Sequence, residues 1–90
     1  MNNREKLDLM DKIMRELADL KNSQVALISK AAKLQVDNMQ LNDQELDEKL
    51  GEVHNKLSDC LDTITEVEIS FEERRDKFEE DHGLAESEEE

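Results

Sequence analysis

The sequence predicts an all-α protein: an antiparallel two-helix coiled-coil hairpin that assembles into a four-helix bundle and ends in a disordered acidic tail. Three observations predict it. The 90 residues are 41% charged and only 36% hydrophobic, with no Pro, Trp or Tyr, a composition typical of long helices and coiled coils. Only two glycines, Gly51 and Gly83, are present, so the punctuation of a strand-and-turn fold is missing. Apolar residues recur at heptad spacing along almost the whole chain.

The first heptad track runs over helix one, expected at about residues 3–39. Position a holds Met10, Leu17, Gln24, Ala31 and Asn38; position d holds Ile13, Leu20, Leu27, Leu34 and Leu41. A column of one Ile and four Leu reads as a seam, because each knob needs a hole on a facing helix. The second track runs over helix two, expected at about 43–81. Its a column is Leu50, Leu57, Ile64, Phe71 and Phe78, and its d column is Leu46, Val53, Cys60, Val67 and Arg74.

The tracks are out of phase between Leu41 and Leu46, a step that an unbroken seam does not make. Asp37, Asn38, Asn42 and Asp43 surround the break, and such residues favour caps and turns over helix interiors. Asn42 followed by Glu45 has the form of a capping box. A connection near 40–42 follows. Folding there pairs Leu34 with Leu50, Leu27 with Leu57, Leu20 with Ile64 and Ile13 with Phe71, and sets Gln24 against Cys60 and Met10 against Arg74. The midpoint of that register is Asn42 itself. Each arm would be roughly 55 Å long. The competing arrangement is one long interrupted helix paired with another chain.

From His82 to Glu90 the pattern is lost. Gly83 is a helix stop, and the final Glu86-Ser87-Glu88-Glu89-Glu90 is self-repelling, so residues 82–90 are expected to form a disordered acidic tail.

Charge is unevenly placed. Residues 1–41 hold seven Lys/Arg and six Asp/Glu, a net of +1, whereas residues 42–90 hold five and nineteen, a net of −14. Nucleic acid and anionic membrane offer negative charge to a negative surface, so neither is expected as a direct partner. No run of 18 apolar residues offers a membrane span, and Met1 to Glu5 opens into charged helix instead of a signal-peptide core. Cys60 is the sole cysteine, which rules out an internal disulfide. A cytoplasmic location is the expectation.

Helix one carries more apolar residues than a hairpin needs. Beside its a/d seam lie Leu7, Met14, Ala18, Val25, Ile28, Ala32 and Met39, at positions e and b. These seven are the candidate interface residues, since an uncovered stripe of this length is an association surface. The expected partner is self, as a homodimer with helix one on helix one, together with an unidentified protein.

Chemistry is not expected. Nothing aromatic or Gly-rich builds a pocket. Cys60 takes a predicted core position among carboxylates and reads as a small hydrophobe, not a nucleophile. Glu79 and His82 have the i, i+3 spacing of bundle metal ligands, but the seam between the helices is aliphatic. No catalytic residue, metal or cofactor is therefore assigned. The leading function is a non-enzymatic coiled-coil adaptor, assembly factor or chaperone. An alternative is an acidic inhibitor or nucleic-acid mimic that occupies a basic protein surface. Asp43-Gln44-Glu45-Leu46-Asp47 resembles the Ser-Gln-Glu-Leu-Asp motif of the small Spo0E-like aspartyl-phosphate phosphatases, which are also helical hairpins. The resemblance covers five residues, with Asp43 standing where that family has Ser, and implies a phosphatase as a second alternative.

Overall fold

A computed structural model of the chain describes residues 1–84. It is a hairpin of two long antiparallel helices, α1 (Asn3–Leu41) and α2 (Gln44–Asp81), measuring 63 × 19 × 18 Å. Of the acidic tail expected at 82–90, residues 85–90 lie outside the described residues. No helix among the described residues is long and apolar enough to cross a membrane.

Both helices begin on side-chain caps. At the start of α1, the Asn2 side chain accepts from the Glu5 amide at 2.8 Å, while the Glu5 carboxylate accepts from the Asn2 amide at 3.3 Å. Two otherwise orphaned donors are thus satisfied reciprocally. At the start of α2 the cap is Asp43, whose carboxylate accepts from the Leu46 amide at 3.0 Å. The expected Asn42–Glu45 capping box is not formed. Asn42 has a different task. It ends α1 in the left-handed conformation (φ 58°, ψ 42°), with its amide donating to the Asn38 carbonyl at 2.6 Å. Asn tolerates that conformation better than any other non-glycine residue, which is how a turn without Gly closes here. The connection is accordingly Asn42 and Asp43, shorter and later than the 40–42 expected.

Asn38 secures this turn from inside. It is buried, and its amide group bridges both sides of the Asp43 backbone, donating to the carbonyl at 2.9 Å and accepting from the N–H at 3.2 Å. The far end of α2 stops at Gly83, in the left-handed region at φ 62°, after an acidic last turn that opposes the helix dipole. Arg75 on Glu79 and Lys77 on Asp81 offset that repulsion, at 3.1 and 3.4 Å. Along the exposed side of α2, Glu52 gathers both Lys49 and Lys56, at 3.7 and 3.8 Å.

The heptads persist along both helices, but the face turned inward differs from the one expected. On α1 the covered columns are a and e: Leu7, Gln24, Ala31 and Asn38 are buried, and Met10, Met14, Leu17 and Ile28 are half-buried. On α2 they are again a and e, with Leu50 and Ile64 buried and Leu57, Leu61, Phe71 and Phe78 half-buried. The d columns, expected to form half of the seam, point outward on both helices except at Ile13, which is half-buried near the open end. The reason lies in the width of the apolar arc on α1. Positions d, a, e and b are neighbours around a helix and all four are largely apolar, so the centre of the arc falls between a and e. One facing helix covers the centre and leaves both flanks out.

Two partners change with that rotation. Gln24 does not face Cys60; it is buried and donates from Nε2 to the Leu57 carbonyl at 2.8 Å, while Cys60 is exposed. Arg74 does not enter the seam at Met10; it is exposed and lies over the Phe71 ring, 5.4 Å from its centroid. Its neighbour Arg75 crosses to α1 instead.

The turn yields a direct test. Asn38→Ala removes both bonds to Asp43 and leaves a partly buried backbone pair less satisfied, so it should cost about 1–2 kcal/mol in urea unfolding followed by circular dichroism. Asn42→Ala should cost about 1–2 kcal/mol, and Asn42→Gly should be close to neutral. Equal stability of Asn42→Ala and Asn42→Gly would contradict the left-handed assignment.

Candidate functional site

The surface that the hairpin leaves uncovered is its candidate site. On α1 it comprises Leu20, Leu27, Leu34 and Leu41, and on α2 Leu46, Val53 and Val67, each between 40% and 70% exposed. Cys60 completes the α2 column. These residues belong to the d columns of the two helices, whose remaining members are the half-buried Ile13 and the exposed Arg74.

Both columns lie on the same side of the molecule. The polar contacts that cross between the helices fix this. Lys21 meets Glu68 at 3.3 Å, joining two e positions, and Asp11 meets Arg75 at 2.6 Å, joining b to e. In an antiparallel pair, e and b on both helices therefore share one side of the seam, and the d columns share the other. The result is a continuous aliphatic face running along the hairpin. The opposite face is poorer, because Ala18, Val25, Ala32 and Met39 of α1 adjoin Gly51, Ser58, Thr65, Glu72 and Glu79 of α2.

The seven residues singled out in helix one divide between three places. Leu7 is fully covered, and Met14 and Ile28 are half-buried in the seam against α2. Ala18, Val25 and Met39 are exposed, and Ala32 is half-buried, on the b flank. They do not form one outward stripe. The d-column leucines were legible as apolar, but they were assigned to the inside. The signal for their exposure was the four-position width of the apolar arc.

Electrostatics divide the surface further. The c column of α2, directly opposite the seam, is Glu45, Glu52, Asp59, Glu66, Glu73 and Glu80, all exposed. Its g column, which borders the d face, is Lys49, Lys56, Thr63, Ser70 and Lys77. The aliphatic face is thus free of carboxylates along its α2 edge. On the other side of the seam, Arg75 is held by three carboxylates. Nε donates to Asp11 at 2.6 Å, Nη1 and Nη2 to the two Glu79 oxygens at 3.1 Å, and Nη1 also to Asp76 at 3.1 Å. The bond to Asp11, opposed by partial burial and reinforced by Glu79 and Asp76, raises its pKa further above the usual arginine range, so the guanidinium keeps its charge.

Other residues considered for chemistry have structural partners. Glu79 belongs to Arg75. His82 shares a 3.2 Å hydrogen bond with Asn3 and packs on Phe78 with ring centroids 4.4 Å apart. Within Asp43–Asp47, Asp43 caps α2, and Glu45 and Asp47 are exposed in its first turn, where acidic groups suit the helix dipole. Among the described residues, no group of three or more His, Cys, Asp or Glu is placed to hold a metal ion.

The chain matches no protein-family model, no curated protein and no solved structure. Its geometry is therefore the whole basis for a functional reading.

The cross-seam ion pair can be measured. A double-mutant cycle of Asp11→Ala and Arg75→Ala should return a coupling of about 1 kcal/mol, as expected for a partly covered, well-aligned pair. The coupling should shrink in 1 M salt. A coupling indistinguishable from zero at low salt would mean that the two side chains do not meet.

Proposed function

We propose that this chain is a non-enzymatic helix-docking module whose d face binds other helices, and that two hairpins stack by this face into a four-helix bundle. The observation that carries the reading is the continuous aliphatic d face, left half exposed on both helices while the seam behind it is closed. It takes the place of the helix-one stripe as the association surface, because the e half of that stripe is already used against α2.

Magnitudes support association. Among the described residues, only Leu7, Ala31, Leu50 and Ile64 are buried apolar residues within one hairpin, a thin core for a chain this size. Removing the remaining exposed half of an aliphatic side chain from water is worth on the order of 1 kcal/mol. With seven such residues on each face, stacking two faces contributes on the order of 10–15 kcal/mol. Association itself costs about 4–15 kcal/mol. The gain covers the cost without a wide margin, so assembly should depend on concentration.

The acidic c column of α2 stays on the outside of such a bundle. This favours a second role for the same molecule, docking to a basic protein surface in the manner of an adaptor or an acidic inhibitor. Binding of that kind weakens steeply as salt rises, whereas d-face association does not.

Sedimentation tests the main reading. The chain should run as a dimer at tens of micromolar. Leu27→Asp with Leu34→Asp should abolish the dimer and lower helicity, whereas Val25→Asp, on the opposite flank of the same helix, should leave it intact. A monomeric, fully helical natural chain would overturn the proposal, as would loss of assembly through Val25→Asp alone.

A further inference from the structure

Resting on that reading, we infer that the second copy lies with its α1 over the first copy's α2, so that both turns meet at one end of the bundle. Two ways of stacking the d faces have two-fold symmetry and keep all neighbouring helices antiparallel. If the axis runs along the hairpin, each α1 lies over the partner's α2 and the turns share an end. If the axis crosses the hairpin, like lies over like and the turns are at opposite ends.

Charge separates the two. α1 carries seven bases and six acids, a net of +1, whereas α2 carries five bases and fourteen acids, a net of −9. Like over like sets the two acidic helices side by side, within about a Debye length of each other. It also runs one c column of six carboxylates beside its twin, and brings together g columns whose only charges are lysines. The alternating arrangement sends the acidic helices to the diagonal and gives each of them two nearly neutral neighbours. It places the α1 c column, with Lys12 and Lys33, beside the acidic column. In the register of the hairpin, Lys12 then stands level with Glu73 of the partner subunit, Lys33 with Glu52 of the partner subunit, and Asp37 with Lys49 of the partner subunit. Three like-charged levels are created, where Glu5 meets Glu80 of the partner subunit, Asp19 meets Glu66 of the partner subunit and Lys30 meets Lys56 of the partner subunit. At neutral pH the balance of the whole helices outweighs them.

Side-chain volume points the same way. The α1 d column is built of Leu, and the α2 d column of Val53, Cys60 and Val67 between Leu46 and Arg74. Alternating helices set Leu34, Leu27 and Leu20 level with these three smaller residues, the large-against-small alternation that fills a layered core. Like over like would crowd leucines on one side and leave the Val and Cys row facing its own twin, too small to fill the space between the helices.

Distances between turns decide the matter. Gln40, exposed near the turn, is replaced by Gln40→Cys in a Cys60→Val background, which continues the Val53 and Val67 column, and carries a nitroxide label for double electron–electron resonance. Alternating helices spaced by 8–10 Å place the two labels at about 30 Å. Opposite turns place them close to the 63 Å length of the hairpin. A short distance supports the arrangement. A long distance in a dimeric sample overturns it and leaves d-face docking standing. A monomeric sample without dipolar signal overturns both. Charge reversal adds an independent check: the short-distance population should fall at pH 7 when Lys12→Glu and Lys33→Glu make α1 acidic, and persistence of the same distance and affinity would contradict the role given to charge.

Discussion

A helix that is apolar over four of its seven heptad positions cannot hide that arc against a single neighbour. This constraint organises the molecule. The facing helix covers the middle of the arc, positions a and e, and the flanks at d and b stay out. Everything else in the seam adapts to that choice. Gln24 and Asn38 fall at covered a positions, where an unpaired amide is costly, and each finds backbone partners, one on the Leu57 carbonyl and the other across the turn. Among the described residues, no buried side-chain nitrogen or oxygen lacks a partner. The polar residues of the seam therefore do positional work: Asn38 fixes where the chain reverses, and Gln24 fixes how α1 slides against α2.

Much of the architecture was legible in the residue pattern. Periodicity marked two helices, the phase break marked the reversal, and the pairing of the tracks centred it on Asn42. The hairpin's cross-helix contacts, from Asn3 with His82 to Gln24 with Leu57, fall within a few residues of that register. The rotation of each helix about its own axis was not legible in the same way. A column of leucines satisfies a heptad template equally well whether it faces the near helix or one supplied by another chain. Columns d and e flank a symmetrically enough that spacing alone does not choose between them. That ambiguity sent Leu7, Met14 and Ile28 outward in the sequence reading and Leu20, Leu27 and Leu34 inward, the reverse of what the structure shows. The choice between Arg74 and Arg75 turned on the same rotation. The capping box at Asn2 and Glu5 is a different case, since an Asn three residues before a Glu is its plain sequence signature.

Charge and burial are arranged consistently with the uncovered d face being an association surface. On α2 the lysines border that face and a column of six carboxylates lies opposite the seam, so docking another helix there brings no buried carboxylate from the d and g columns of α2. Outside, the six-carboxylate column keeps the assembled molecule highly charged, which opposes further aggregation. The proposed dimer and any partner for the acidic side consequently use separate surfaces of one hairpin.

Hydroxyl-radical footprinting followed by mass spectrometry, at rising chain concentration, tests the central claim most directly. It reads solvent access at each leucine without altering the sequence. The account predicts that Leu20, Leu27 and Leu34 become protected as concentration rises, while Val36 and Met39, exposed away from the d face, stay equally reactive throughout. If the d-column leucines oxidise at an unchanging rate from nanomolar to hundreds of micromolar in a folded chain, the face needs no cover and the account is wrong.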